Sequence, residues 1–191
     1  MLIVDDVSTD STLSLAEAHA ARDPRVRVLR MPLNSGCGAA RNRALELASG
    51  EIIAYLDADD EFYPDHFRQI HSRRTDGDVF VCRYDVVDER PGDEGRRWVF
   101  DPSTMATEVM RRNMSVPLGV AHLRALTEKL GAFDESVALG EDTKLWQKFA
   151  ANGARFIFLS ARSGLYHIRP NSQSRMTRVY DSLRQPGQTA E

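Results

Sequence analysis

The chain has 191 residues, a formal net charge of −3, and 42% hydrophobic and 28% charged residues. These values are typical of one globular domain, and the lack of a broad basic field argues against a nucleic-acid partner. Cys37 and Cys82 are too few for a disulfide framework or a zinc site, and we expect both to be free thiols in a reducing cytoplasm. No apolar run reaches the ~18 residues of a membrane-spanning helix, so no such segment is predicted.

Strand and helix patterns alternate along the first half of the chain. Short apolar or alternating runs predict strands at residues 2–4, 25–31, 52–56 and 79–87. Helical patterns between them cover residues 12–21, 39–48 and 64–74. Ser11 or Asp10 is placed to cap the first of these helices. This rhythm predicts an α/β fold with a mostly parallel sheet flanked by helices.

The second half is less regular. An exposed hairpin loop is expected at residues 88–97, followed by helices at 102–112, 122–130 and 141–152 and strands at 116–121, 155–159 and 164–168. The chain beyond residue 178 is polar and is predicted to be a tail, residues 179–191. The change of pattern near residue 100 suggests that a single domain, 1–178, has two halves, 1–100 and 101–178.

The most informative stretch is residues 51–60, EIIAYLDADD. A short apolar run predicts a buried strand, and Asp57, Asp59 and Asp60 follow its carboxyl end. Carboxylates crowded there repel one another unless a cation lies among them, and oxygen ligands suit Mg²⁺ or Mn²⁺. Such ions usually take one or two carboxylates together with substrate phosphates. The alternative is an acidic turn that caps the helix after Pro64.

Two further segments have features of a nucleotide site. Asp5 and Asp6 also follow a strand, where a carboxylate accepts from a base N–H or a ribose hydroxyl; the alternative is an Asx turn. Residues 34–38, NSGCG, lead into a helix bearing Arg41. Glycines allow close approach of the backbone to a ligand and helix N-termini favour anions, although an ordinary helix entry with solvated arginines is also consistent.

The later candidates lie at a helix start and after a strand. Glu141 and Asp142 begin a helix, where acids complement the helix dipole; the functional alternative is a general base for an acceptor hydroxyl. Trp146 lies one turn later and is either core or a platform for a sugar. His167 and Arg169 follow a late strand, where they could meet a diphosphate; an ordinary strand residue is the alternative for His167.

Taken together and in order, these segments resemble family 2 of the inverting nucleotide-sugar glycosyltransferases, which have a GT-A type fold. The matching strings are IVDDVSTDST, NSGCGAARNRAL, SGEIIAYLDADDEFYPDHF, GAFDES, GEDTKLWQKF and YHIRPNSQS. They run from residue 3 to about residue 174 and so cover nearly all of the chain. Each string alone is modest, whereas their order and spacing together are specific.

The resemblance implies a role for each candidate. The nucleotide-binding residues would be Asp5, Asp6, Asn34, Gly36, Arg41 and Asp57. Asp57 and Asp59 would be the D-x-D motif that holds Mg²⁺ or Mn²⁺, with Asp59 as the more direct ligand. Asp142 would be the catalytic base, with Glu141 and Trp146 on the acceptor side. His167 and Arg169 would lie near the diphosphate.

The resemblance also implies a reaction and its partners. A sugar moves from a nucleotide-diphospho donor, most simply of the UDP type, to an acceptor hydroxyl with inversion at the anomeric carbon. The acceptor is a glycan, a lipid-linked molecule or a protein, as in synthesis of cell-envelope polysaccharide. Residues 1–100 would bind the nucleotide sugar and 101–178 the acceptor. Peripheral association with the inner face of the membrane and a homodimer stay open.

One departure concerns the beginning of the chain. The family normally has about thirty further residues before the segment that Met1 opens, with a strand and a helix. We therefore expect an N-terminally truncated member, and an inactive or binding-only fragment is the alternative function. Two other classes fit less well, since a nucleotidyltransferase would need a glycine-rich basic loop and a signalling receiver domain a lysine after a late strand.

Overall fold

The computed structural model describes residues 1–105 and 116–170. The helices in this part of the chain are α1 (Thr12–Ala20), α2 (Gly36–Leu47), α3 (His66–Ser72), α4 (Arg124–Leu130) and α5 (Glu141–Ala151). The strands are β1 (Leu2–Asp5), β2 (Arg27–Arg30), β3 (Ile52–Ala54), β4 (Glu61–Phe62), β5 (Val79–Asp88), β6 (Arg96–Phe100), β7 (Val120–Leu123) and β8 (Phe156–Ile168). Within these ranges, no helix is both long and apolar enough to cross a bilayer.

The chain divides into two compact units. The first combines Met1–Gly50 with Gly131–Leu145, and the second combines Glu51–Leu130 with Trp146–Glu191. In the first unit, β1 and β2 pair in parallel and are connected through α1. The N-cap residue of α1 is Ser11, whose side chain makes no cap hydrogen bond. The Asp10 carboxylate instead accepts a hydrogen bond from Thr12 N–H at 2.9 Å and so satisfies one N–H of the first turn.

The second unit has a six-stranded sheet in the order β3-β7-β5-β8-β4, with β6 also paired to β5. Only β5 and β8 run parallel in it, while the β3–β7, β4–β8, β5–β6 and β5–β7 pairs are antiparallel. The predicted α/β class is confirmed, but the sheet is mixed and the expectation of a mostly parallel sheet is wrong for this unit. An apolar run predicts a buried strand without its direction, because direction depends on the connections.

The long central strand β5 explains where the core of the second unit lies. Its burial on both faces fits a strand that has neighbours on each side. Tyr84 and Val86 pack with Leu118 and Ile168 in one hydrophobic cluster. A second cluster is formed around Phe80 and includes residues of α3, β7 and β8. This core holds the ends of β3, β4 and β8, which carry most of the candidate residues of this unit.

Several predicted element boundaries differ from the structure. The two strands expected at 155–159 and 164–168 are one strand, β8, whose pairing with β5 shifts register near Arg83. The short strands β4 and β6 were not predicted. A 3₁₀ turn, Pro102–Met105, occupies the first positions of the helix expected at 102–112. Positions 106–112 of that prediction lie outside the described residues, as does the predicted tail. A 3₁₀ turn, Pro117–Gly119, occupies much of the strand expected at 116–121.

Candidate functional site

Asp6 caps the N-terminus of α2. Its Oδ1 accepts a hydrogen bond from Ser35 N–H at 2.9 Å and its Oδ2 accepts one from Gly36 N–H at 2.7 Å. Its carbonyl oxygen accepts a hydrogen bond from Asn34 Nδ2 at 2.9 Å. Gly36 has φ +85°, a backbone conformation that glycine adopts without a steric penalty. A ligand anion would therefore have to displace the Asp6 carboxylate to reach these two N–H groups.

The loop after β1 is held by the neighbouring Asp5. This residue is 3% exposed, and its Oδ1 accepts a hydrogen bond from Ser8 N–H at 3.2 Å. The Nε atom of Arg30 lies 3.6 Å from its Oδ2. Val7, which lies between Asp5 and Ser8 in the chain, has φ 64°, a strained backbone conformation for a β-branched residue. Such strain persists only where the surroundings fix the backbone, and it is concentrated at functional loops.

Arg41 and Glu141 form a largely buried ion pair in the first unit. Their Nη1 and Oε1 atoms are 2.5 Å apart, and the two side chains are 13% and 11% exposed. The guanidinium of Arg41 also lies over the ring of Phe133, 5.5 Å from its centroid. Arg41 was predicted to lie near the nucleotide and Glu141 on the acceptor side, and the structure brings the two together. A contact between Arg41 and a nucleotide stays a prediction.

Asn42 is a residue that the sequence reasoning missed. Its Nδ2 donates to the Phe133 carbonyl at 3.0 Å and to Glu135 Oε1 at 2.8 Å. Its Oδ1 accepts a hydrogen bond from Phe133 N–H at 2.9 Å. Asn42 follows Arg41 directly in the NSGCGAARNRAL string, which is the one signal that could have identified it. An amide that pairs with both backbone groups of a residue 91 positions away has no local signature.

Asp142, the predicted base, is the second residue of α5. Its Oδ1 accepts a hydrogen bond from Thr143 N–H at 2.6 Å and lies 3.3 Å from Thr143 Oγ1. Gly140, with φ +85°, turns the chain into this helix. The side chain of Asp142 is half-buried, while Glu141 is buried. The sequence prediction that both acids begin a helix is confirmed.

Residues 57–60, which we call the acidic loop, lie between β3 and β4 of the second unit, and Asp60 is the buried residue among them. This residue is 8% exposed, its Oδ1 accepts a hydrogen bond from His167 N–H at 3.1 Å, and its buried Oδ2 has no hydrogen-bond partner in the described structure. Burial raises the pKa of Asp60 to about 8, helped by the charges of Asp57 and Asp59 and opposed by the His167 N–H. Below that pH the buried carboxyl of Asp60 is mainly protonated and neutral in the metal-free protein.

His167 and Arg169 lie beside this loop, as the end of β8 places them. The Nδ1 atom of His167 is 2.7 Å from Glu89 Oε1, and its Nε2 is 3.5 Å from Glu61. Because a carboxylate accepts, Nδ1 is the protonated nitrogen in this contact. Arg169 Nε lies 3.7 Å from Glu89 Oε2. The structure therefore brings both predicted diphosphate residues together with the acidic loop.

Trp146 lies in an aromatic cluster of the second unit. It is 6% exposed, and its ring centroid is 5.9 Å from Tyr55 and 6.0 Å from His122. The Tyr55 hydroxyl is 2.8 Å from His122 Nε2, while His122 Nδ1 is 2.8 Å from the Leu123 carbonyl. The carbonyl can only accept, so Nδ1 carries the proton and Tyr55 donates to Nε2. This burial fits the core alternative for Trp146 and leaves little surface for a sugar.

The donor atoms of the acidic loop fit a hard divalent ion. Within residues 1–105 and 116–170, no group of three or more His, Cys, Asp or Glu side chains is placed to hold a metal by itself. An ion at Asp57 and Asp59 would complete its shell with other oxygen ligands, for which substrate phosphates are a usual source with Mg²⁺. The unpartnered Oδ2 of Asp60 beside two further carboxylates is consistent with a place for positive charge.

The candidate residues fall into two sets. The first unit contains the candidates around α2 and the start of α5, namely Asp5, Asp6, Asn34, Gly36, Arg41, Glu141 and Asp142. The second unit contains those of the acidic loop and of the aromatic cluster, namely Asp57, Asp59, Trp146, His167 and Arg169. A cavity of about 400 Å³ in the second unit is lined by Tyr63, Arg162 and their neighbours and by none of these candidates.

Solved structures define the class of fold. One is TarS of S. aureus, residues 1–349, in complex with UDP-GlcNAc. The match covers 92% of this chain and 51% of the TarS chain, with a TM-score of 0.72 and 23% sequence identity. Another is the mannosyltransferase PcManGT of Pyrobaculum calidifontis in complex with GDP-Man and Mn²⁺. The match covers 89% of this chain and 48% of the PcManGT chain, with a TM-score of 0.65 and 23% sequence identity. The predicted GT-A type fold is confirmed.

Sequence comparisons give the family. The model described as Glycosyl transferase family 2 matches residues 1–130. The succinoglycan biosynthesis proteins ExoO and ExoU of Rhizobium meliloti are 32% and 30% identical, covering 94% and 96% of this chain. The chain belongs to glycosyl transferase family 2, as its motifs predicted. It spans 55% and 58% of the length of these two relatives.

Proposed function

We propose that this chain forms the nucleotide-sugar-binding and catalytic part of an inverting, metal-dependent glycosyltransferase. The observation that carries the proposal is the start of α5, where Glu141, the neighbour of Asp142, pairs with Arg41 of α2, the helix that Asp6 caps. One helix thus connects the candidate nucleotide loop with the candidate base. Arg41 lies five residues after Gly36, which is about 8 Å along the helix axis.

The chemistry assigned to the residues is a single displacement. Asp142 accepts the proton of the acceptor hydroxyl as that oxygen forms a bond to the anomeric carbon of the sugar. The bond from this carbon to the diphosphate breaks on the opposite face, so the nucleoside diphosphate leaves and the configuration inverts. The Asp142 carboxylate suits this role because Thr143 N–H fixes one of its oxygens. Asp5, Asp6, Asn34, Gly36 and Asp57 are assigned to the nucleotide.

Asp57 and Asp59 are the residues that would hold Mg²⁺ or Mn²⁺. A bound divalent ion would offset the negative charge of the leaving diphosphate. His167 and Arg169, next to Asp60, are assigned to the diphosphate side of this loop. The PcManGT complex contains Mn²⁺ together with GDP-Man, which supports the use of a divalent metal in this fold.

The relatives support a class of donor and a class of acceptor. UDP-GlcNAc in the TarS complex supports a UDP-type donor. ExoO and ExoU are named for succinoglycan biosynthesis, which supports a growing bacterial polysaccharide as acceptor. The whole protein's substrates are part of the proposal, since the chain spans little more than half of these relatives.

The test replaces the base by its isosteric amide. We expect Asp142→Asn to lower UDP release from UDP-glucose, UDP-galactose or UDP-GlcNAc, with Mn²⁺ and bacterial glycan acceptors, by about 100-fold or more. UDP affinity should stay within a few-fold, because the amide keeps the shape of the side chain. Asp23→Asn is the matched control, since Asp23 pairs only locally with Arg25. Equal turnover in Asp142→Asn and the wild type would refute the assignment of the base.

A further inference from the structure

The cavity of about 400 Å³ in the second unit is the feature that the proposed function leaves unused. Its wall is formed by residues 63–65 and Gln69 of the β4–α3 region on one side and by residues 160–162 of β8 on the other. Cavities of about 300–1,000 Å³ with a few convergent polar groups are the usual places for small ligands. None of the candidates for the nucleotide, the metal or the base lines it, so a ligand bound there would occupy a separate site.

The β4–β8 pair connects this cavity with the acidic loop. At one end of the pair, Asp60 accepts a hydrogen bond from His167 N–H. At the other end, Tyr63 N–H donates to the Ser163 carbonyl at 2.9 Å. About 20 Å of extended strand separates Ala161 from His167. A molecule in the cavity would therefore lie along the same pair of strands as the acidic loop, but well away from an ion or a diphosphate bound there.

Tyr63 is restrained before any ligand arrives. Its hydroxyl donates a hydrogen bond to Asp85 Oδ2 at 2.5 Å. Burial, together with this hydrogen bond and the charge of Asp85, raises the pKa of Tyr63 to about 12, so the hydroxyl stays protonated at neutral pH. A tyrosine ring offers a large apolar face and loses little conformational entropy on binding. Tyr63 is thus a pre-organised wall against which the C–H face of a sugar ring can pack.

Three other side chains supply polar groups to the cavity. Arg162 Nη1 lies 3.1 Å from Asp85 Oδ1, and its side chain is 53% exposed, so further N–H groups of the guanidinium remain for a ligand. Within the part of the chain that the structure describes, the side chains of Gln69 and Ser160 form no hydrogen bond. An amide and a hydroxyl both donate and accept, whereas a guanidinium only donates. This mixture suits hydroxyl groups, which also donate and accept.

The charges around the cavity are balanced in pairs. Arg162 pairs with Asp85, and Asp65 pairs with Arg68 at 2.9 Å. An anion in the cavity would be repelled by the Asp65 carboxylate, and a cation would be repelled by the Arg162 guanidinium. A neutral molecule rich in hydroxyl groups meets neither cost. The lining therefore favours a neutral sugar over a phosphate group or a metal ion.

We propose that this cavity is a second carbohydrate site, which binds a neutral sugar residue of the acceptor glycan away from the point of transfer. Tyr63 forms its wall, and Gln69, Ser160 and Arg162 bind the hydroxyl groups. A chain held there by one residue has a raised effective concentration at the point of transfer, so long acceptors are favoured over short ones. The role of the glycan as acceptor rests on the proposed function, whereas the binding of sugar to the cavity does not.

The test titrates neutral trisaccharides into ¹⁵N-labelled protein and follows the backbone amide signals by NMR. Cellotriose, laminaritriose and β-1,4-galactotriose are the probes, and inorganic phosphate is the charged comparison. Gln69→Ala and Arg162→Met each remove one hydrogen-bonding group. Arg155→Met is the matched control, because Arg155 directly precedes β8, is 64% exposed and pairs with Asp78. Unchanged signals from β5 show that each variant is folded.

We expect at least one trisaccharide to shift the amides of Tyr63 and of residues 160–163, with a dissociation constant on the order of 1–10 mM. Gln69→Ala and Arg162→Met should each weaken this binding at least about fivefold, because a hydrogen bond to the sugar is lost. Arg155→Met should bind within about twofold of the wild type. Saturating UDP with Mn²⁺ should leave the sugar bound, because none of the candidate nucleotide residues lines the cavity.

Three results would overturn the inference. The first is that no trisaccharide shifts these amides at concentrations up to about 50 mM. The second is that phosphate shifts them as strongly as the sugars do, and the third is that Gln69→Ala and Arg162→Met bind the sugar as the wild type does. Trisaccharide binding at these amides in a protein that binds no UDP would support the carbohydrate site and count against the proposed function alone.

Discussion

At the scale of single residues, Asp60 is a buried carboxyl that the fold keeps protonated over an unusually wide pH range. Burial raises its pKa from the ordinary 3.8 to about 8. Between these two values the folded protein keeps a proton on Asp60 that the unfolded chain releases. The folded state then binds more protons than the unfolded state, so the free energy of unfolding falls as the pH rises through this window.

The corresponding prediction concerns Asp60→Asn in metal-free protein. The amide cannot ionise, so the variant should lose this part of the pH dependence. We expect wild type and variant to have similar stability near pH 4 and the variant to be more stable by about 2 kcal/mol or more at pH 8. Urea unfolding in the presence of a chelator, measured across this range, checks the expectation.

Asp65→Asn is the control for Asp60, because Asp65 pairs with Arg68 on the surface and its side chain is 60% exposed. Its pH dependence should match that of the wild type. Saturating Mn²⁺ should reduce the difference in the free energy of unfolding between the wild type and Asp60→Asn at pH 8, since a cation beside Asp57 and Asp59 favours ionised carboxylates. The account of this residue would be refuted if the free energy of unfolding of the wild type rose from pH 5 to 8 and Asp60→Asn showed the same pH dependence.

Asp6 and Arg41 show what sequence reasoning leaves open at this scale. Their contacts with a nucleotide stay predictions, and the structure adds a partner for each within the protein: the N-terminus of α2 for Asp6 and Glu141 for Arg41. The residue type indicates that an opposite charge is needed nearby. It does not indicate whether a ligand or another segment of the chain supplies that charge.

At the scale of elements, the β4–β8 pairing positions the acidic loop. Glu61 pairs with Leu165, and Phe62 with Gly164. A Cβ at Gly164 would lie 1.8 Å from the Glu61 carbonyl oxygen, so β4 can approach β8 this closely only at a glycine. This pairing brings Asp60, the residue before β4, to the His167 N–H.

Gly164→Ala should therefore separate β4 from β8. We expect a loss of about 2–3 kcal/mol in the free energy of unfolding, because backbone atoms must move to admit the methyl group. Gly38→Ala is the control: its Cβ would lie no closer than 3.6 Å to any neighbour, and alanine favours the helix by up to about 1 kcal/mol. Chemical denaturation measures the free energy of unfolding of both variants. Equal values for Gly164→Ala and Gly38→Ala would contradict the packing of β4 against β8.

The elements themselves were predicted unevenly from the sequence. The alternating pattern placed β1, α1, β2 and α2 within three residues of their observed bounds, because turn residues separate these elements in the sequence. β4 has two residues and is defined by its partner β8, so no local pattern could identify it. The middle of β8, SARSG, contains exposed polar residues and a glycine, which led to the expectation of two strands.

At the scale of the whole molecule, the order of motifs predicted the family and the fold better than any one motif did. The sequence predicted the position of Asp57 after a strand and of Asp142 at a helix start, while their chemical roles stay predictions. Asn42 and the antiparallel pairings could not, because both depend on segments far apart in the chain. The assignment of these ends to a nucleotide and a metal is the central claim.

Titration of UDP into the protein by calorimetry, with Mn²⁺ and with a chelator, tests that claim most directly. We expect binding with Mn²⁺ that weakens at least about tenfold in chelator, and the same loss in Asp59→Asn with Mn²⁺ present. Asp76→Asn, which alters an exposed pair with Arg73, should behave as the wild type. UDP affinity that is independent of both the metal and Asp59, or no UDP binding at all, would contradict the account.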